Sequence, residues 1–187
     1  GDFDYDKVIQ SIEQHFGSLP AKPVDGLSWQ PEPVMTSKVA REVVGPDPAS
    51  VAMGWRVGGE GTRDADMCTL LAGILYNNTA GLFDINLNQG QKVLGSACYF
   101  FALKDYGFFG CSGDPKEGQS LEAVESLMLA EIEKVKKGDF PDWLPGAVVT
   151  DLKLRKTKEL ESNSSRADAM LTAFVNDINW QEYVNSL

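Results

Sequence analysis

Apolar side chains first recur at Val8, Ile9, Ile12 and Phe16, a spacing of three and four that belongs to one face of a helix. Asp4 or Asp6 can cap that helix, and Gly17 is placed to end it before Pro20. His15 falls in its last turn, where a cation is mildly favoured by the helix dipole, a structural setting rather than a catalytic one. Pro20, Pro23, Pro31 and Pro33 with Gly26 then exclude helix and central strand, leaving a long connection. The spacing next changes to two. Val39, Arg41 and Val43 share one side, Gly45-Pro46-Asp47-Pro48 turns the chain, and Val51, Met53, Trp55 and Val57 share one side again. Two strands are predicted, with the Trp55 side in the core.

After Gly58-Gly59-Glu60-Gly61, Thr62 or Asp64 can start a helix with Met67, Leu70, Leu71, Ile74 and Leu75 as its packing stripe. Residues 77 to 92 are richer in Asn, Gly and Gln, and Leu82, Phe83, Ile85 and Leu87 form an interrupted apolar set that reads as a short helix and a loop. An apolar run from Val93 to Leu103, then Lys104-Asp105, then Tyr106 to Gly110 predicts two strands about a tight turn. If Leu103 pairs with Tyr106, counting back five and forward five brings Cys98 opposite Cys111. Either these two form a disulfide or redox pair, or they are two small buried apolar side chains on one face. The frequency with which free cysteine is simply buried weighs toward the second.

Ser120 to Lys137 is amphipathic, with Leu121, Val124, Leu127, Met128, Ile132 and Val135 on one side, Glu133 placed to pair with Lys137, and Gly138 at the stop. It should cover a sheet face. Two more helices follow Pro141 and Pro145: Gly146 to Leu160, and Arg166 to Asn176 capped by Ser164 or Ser165. Lys153, Arg155, Lys156 and Lys158 make a basic run hemmed in by Asp151, Glu159 and Glu161, which reads as a solvated helix face. The fold class is therefore α+β, a mostly antiparallel sheet covered by helices.

Composition narrows the chemistry. The 187 residues carry 17 Lys plus Arg against 27 Asp plus Glu, a formal charge of −10, which opposes the counterion release that nucleic-acid binding requires. The run from Val93 to Leu103 is far short of the roughly 20 residues that span a bilayer. Cys68, Cys98 and Cys111 are too few and too scattered for a thiolate zinc cluster. His15 is the single histidine, so a self-contained zinc site, or a Ser-His or Cys-His pair, has almost nothing to draw on. Gly58-Gly59-Glu60-Gly61 lacks both the Lys and the spacing of a phosphate cradle. No catalytic residue, metal ligand or cofactor site is assigned in this chain.

The order of the landmarks carries more. Gly1-Asp2 before a helix ending His15-Phe16-Gly17-Ser18-Leu19-Pro20, a two-strand segment, Asp64 to Leu75, Leu82 to Leu87, and Tyr106-Gly107-Phe108-Phe109 before an amphipathic helix resemble the C-terminal-type, non-zinc-binding domain of the pitrilysin and insulysin peptidases. Mitochondrial processing peptidase and the respiratory core proteins are of the same family. The resemblance implies a metallohydrolase-like clamshell half-domain, with zinc held in a different, N-terminal domain by H-x-x-E-H. It also implies, in the substrate-clamping copy, an Arg and a Tyr seven residues apart; around Leu87-Asn88 and Leu94-Gly95-Ser96, where they would fall, neither is present.

The implied function is that of a non-catalytic chamber domain of a zinc metalloendopeptidase, inert by itself. Its partners would be the neighbouring zinc-binding domain and the parent's peptide substrate, and a homo-oligomer is open. Residues 1–187 would be one domain with 140–187 as its helical tail, excised from a longer chain. An extracytoplasmic bacterial setting is weighed slightly above a cytoplasmic one. The alternatives are an inactive scaffold subunit of the same fold and an unrelated stand-alone binding module.

Overall fold

The computed structural model describes residues 2–185 except Val24 and Leu27. The chain divides into two units, Gly1–Pro46 and Asp47–Leu187. The first holds helix α1, Tyr5–Phe16, whose N-cap Asp4 accepts a hydrogen bond from the Lys7 N–H at 3.1 Å. Its apolar face of Val8, Ile12 and Phe16 is exposed. Residues 34 to 50 form no strand, contrary to the alternation at Val39, Arg41 and Val43. Alternation fixes only where side chains point, whereas a strand also needs a neighbour's backbone. The sheet of the second unit is built from three other segments.

Those three are β1 (Val51–Gly58), β2 (Gly95–Ala102) and β3 (Tyr106–Asp114), antiparallel in the order β1-β3-β2. The hairpin forms as read, with Leu103 donating its N–H to the Tyr106 carbonyl at 2.9 Å across Lys104 and Asp105. β3 runs on to Asp114, because β1 pairs along one side of it as far as Gly113 and β2 along the other as far as Asp114. Helix α2 (Arg63–Leu75) is capped by Thr62. A π-helical turn, Asp84–Gln89, stands where a short helix and loop were expected. Helix α3 (Leu121–Lys137) starts at Ser120 and stops at Gly138, whose φ of 71° is a conformation glycine adopts without strain.

One face of the sheet is covered. Phe83, Leu75, Leu87, Met128 and Val124 are fully buried and pack with Cys98, Phe109 and Cys111. α3 can lie this close because position 113 is glycine, where a Cβ would sit 2.6 Å from a Val124 methyl. Trp55 is 39% exposed rather than core, since β1 is an edge strand, and its ring tilts against Phe109, 5.9 Å away. The opposite face is open, with Tyr99, Phe101 and Phe108 exposed.

Helices α4 (Leu144–Glu161), α5 (Asn163–Val175) and α6 (Trp180–Asn185) complete the unit, the last unforeseen in the sequence. α4 begins two residues before Gly146, with Pro145 in its first turn, where no intrahelical N–H bond is lost. Leu144 and Val148 pack on Ile74 as a second small core. α5 begins under Ser162, not Ser164 or Ser165, because Ser162 has the extended backbone a cap needs and accepts from the Ser165 N–H at 3.3 Å. Glu133 pairs with Lys136 rather than Lys137. Truncating the ring at the centre, Phe83→Ala, should cost about 3–5 kcal/mol. Urea unfolding should show a lower midpoint at unchanged slope, and an unaltered midpoint would place the core elsewhere.

Candidate functional site

The lone imidazole is engaged locally. His15 Nδ1 lies 2.7 Å from the Ser11 carbonyl one turn back, so that nitrogen donates to it. Among the described residues no group of three or more His, Cys, Asp or Glu side chains could hold a metal ion. The donors present therefore do not fit a zinc centre. Cys68 packs against the core as a free cysteine, its thiol pKa pushed up by burial and then by Asp64, which makes it a weak nucleophile.

Two buried carboxylates went unnoticed in the sequence. Asp84 is 5% exposed and accepts the N–H groups of Asn77 at 2.9 Å and Gly81 at 3.0 Å, closing the loop before the π-helical turn. Glu131 is 3% exposed and accepts from Asn86 Nδ2 at 2.8 Å and Lys134 Nζ at 2.8 Å. Both are spent on holding backbone and helix. The signal was a charge at core spacing: Asp84 interrupts Leu82, Phe83, Ile85 and Leu87, and Glu131 falls among Met128, Ile132 and Val135.

Near the positions where the resemblance would put a clamping Arg and Tyr, Asn88 and Ser96 bond to each other. Ser96 Oγ donates to Asn88 Oδ1 at 2.8 Å, and Asn88 Nδ2 donates to the Ser96 carbonyl at 2.9 Å. This closed pair ties the turn to β2. A cavity of about 590 Å³ is walled by α2, the loop 76–80, β2 and α4, with Thr69, Asn77, Cys98, Phe100, Trp143 and Asp151 among its lining. Asn77 turns its amide back on the chain, donating to the Gly73 carbonyl and accepting from the Thr79 and Ala80 N–H groups. The register sets Cys98 opposite Cys111, with Cα atoms 4.2 Å apart and the two sulfurs within bonding reach.

The basic run divides in two. Arg155 pairs with Asp151 at 2.7 Å on the surface, as a solvated face should. Lys156 departs from that reading, because α6 covers it: its Nζ donates to the Tyr183 carbonyl at 2.7 Å and sits 3.8 Å above the Tyr183 ring. Burial lowers its pKa, against the pull of Glu159, Glu60 and Asp66. Burial likewise raises the Glu60 pKa, helped by Asp66 and opposed by Lys156.

The sequence pattern described as the peptidase M16 inactive domain matches residues 1–145. The chain belongs to that family. As an M16 inactive domain it resembles solved structures over its full length. A crystal structure of a protease from Helicobacter pylori superposes with a TM-score of 0.74 at 21% identity, over 99% of this chain and 46% of that one. A predicted insulinase family protease from Yersinia pestis gives 0.57 at 14% identity, over 100% of this chain and 45% of that one. The chain thus spans less than half the length of either. No curated protein matches. The fold and the non-catalytic, pitrilysin-type assignment stand together, and the reading as an unrelated binding module falls.

The Glu60 environment gives this M16 domain a pH signature. Its raised folded pKa means that its contribution to stability is fully present below the unfolded pKa of about 4.3 and is lost as pH rises through the folded value. Glu60→Gln, which cannot ionise, should gain Tm relative to the parent sequence between about pH 4 and about pH 7. A Tm difference constant across that range would contradict the burial of this carboxyl.

Proposed function

We propose that these residues form a wall and packing domain of a zinc peptidase whose hydrolytic side chains lie in another part of the parent. The carrying observation is the match of residues 1–145 to a domain described as inactive. It is supported by the single imidazole of the chain and the closed Asn88–Ser96 pair. Zinc held in the neighbouring domain would activate water for peptide-bond cleavage. Residues 1–187 act in this reading as one domain, with 140–187 as its helical tail, and an extracytoplasmic setting accords with it.

The wall is the open side of the sheet. Phe108 lies flat over Gly54, and the rings of Tyr99 and Phe108 both cover Gly110, so the strands present a shallow aromatic surface with Phe101 at 60% exposure. Such a surface accepts apolar side chains of an extended peptide without reading a particular one.

Two experiments test the reading. Residues 1–187 given zinc should bind it substoichiometrically and cleave no peptide, and chelator-sensitive cleavage with stoichiometric zinc would overturn the proposal. In the full-length parent, Phe101→Glu should lower kcat/KM for an apolar peptide by about tenfold with zinc content unchanged. Undiminished kcat/KM would remove the sheet face from the chamber.

A further inference from the structure

The cysteine pair has features that the chamber reading does not use. Leu103 and Tyr106 are a hydrogen-bonded pair at the turn, so the alternation along the hairpin makes Cys98 and Cys111 a non-hydrogen-bonded pair. Their Cα atoms are 4.2 Å apart, as that class of pair requires, and both side chains point to the covered face. The two are not equivalent in access. Cys111 is 0% exposed beneath α3, whereas Cys98, at 5%, also lines the cavity between α2 and α4. Cys68, the remaining cysteine, is free.

We propose that Cys98 and Cys111 form a disulfide in the mature protein and that Cys98 is the sulfur through which it is made and opened. In formation, the Cys98 thiolate attacks the disulfide of a small or protein disulfide oxidant, giving a mixed disulfide and one oxidant thiol. The Cys111 thiolate then attacks Cys98 Sγ and expels the second oxidant thiol. The pair loses two protons and two electrons, and the electrons reduce the oxidant's disulfide to its two thiols. In opening, a small thiolate entering the cavity bonds to Cys98 Sγ while Cys111 leaves as thiolate and takes a proton. A second small thiolate then attacks the bound small-molecule sulfur, forming the small molecule's disulfide, which carries off the oxidation, while Cys98 leaves as thiolate and takes a proton. The bond ties β2 to β3 beneath α3, and its formation fits a compartment that supplies such an oxidant.

The first test is a thiol count on residues 1–187 purified without reductant. Denatured and alkylated before reduction, the chain should take one label, on Cys68, and a tryptic digest should show peptide 93–104 joined to peptide 105–116. Three labelled cysteines after exposure to glutathione disulfide would overturn the pairing. The second test separates the two sulfurs under native conditions. With glutathione disulfide, Cys98 in C111S should be thiolated at least about tenfold faster than Cys111 in C98S. Equal rates, or a faster Cys111, would overturn the assignment of Cys98 as the exchange site. Should either variant fail to fold, a small thiol on the native protein serves instead: alkylation after brief reduction must trap the small thiol on Cys98, and finding it on Cys111 contradicts the proposal.

Discussion

A sheet has two faces, and the one in this molecule buries only one of them. Leu75, Phe83, Leu87, Val124 and Met128 are all drawn to the same side, where each large apolar side chain contributes about 1.5–3 kcal/mol of transfer free energy when fully buried. That side fixes where α2 and α3 lie, demands glycine at position 113, and carries Cys98 and Cys111 inward. The other side keeps Tyr99, Phe101 and Phe108 in the open. The role proposed above would draw on this asymmetry: rigidity from the packed face, and a broad apolar surface on the other.

The polar interior obeys the same division of labour. A buried charge is costly unless it is paired or hydrogen-bonded, and Asp84 and Glu131 meet that condition with partners from their own neighbourhood. Asn88 and Ser96 satisfy each other. Groups so engaged stiffen the turn between α2 and β2, and they are not poised to move a proton or to grip a substrate. The polar atoms of this interior are used to hold backbone and helix in place.

Much of the second unit was legible because local rules and tertiary packing agree there. The hairpin register followed from a two-residue turn and period-two alternation, so Cys98 fell opposite Cys111 as counted. Helices α2 and α3 followed from stripes and caps at Thr62 and Ser120. Failures lie where a partner distant in sequence decides. Val39 to Val43 has a strand's pattern and no strand's hydrogen bonds. Lys156 is enclosed by Tyr183, 27 positions away on a helix too short to announce itself. That Cys98 and Cys111 are neighbours followed from the register, whereas whether their sulfurs join is a matter composition does not report. Function was legible only through the order of landmarks, since no motif of the chain bears chemistry by itself.

The central claim is that hydrolysis is performed by atoms outside these residues. Anomalous scattering at the zinc edge from crystals of the full-length parent tests it most directly. The account predicts an ordered zinc whose protein ligands all lie outside residues 1–187. A zinc coordinated by His15 or by any carboxylate of this chain would contradict it.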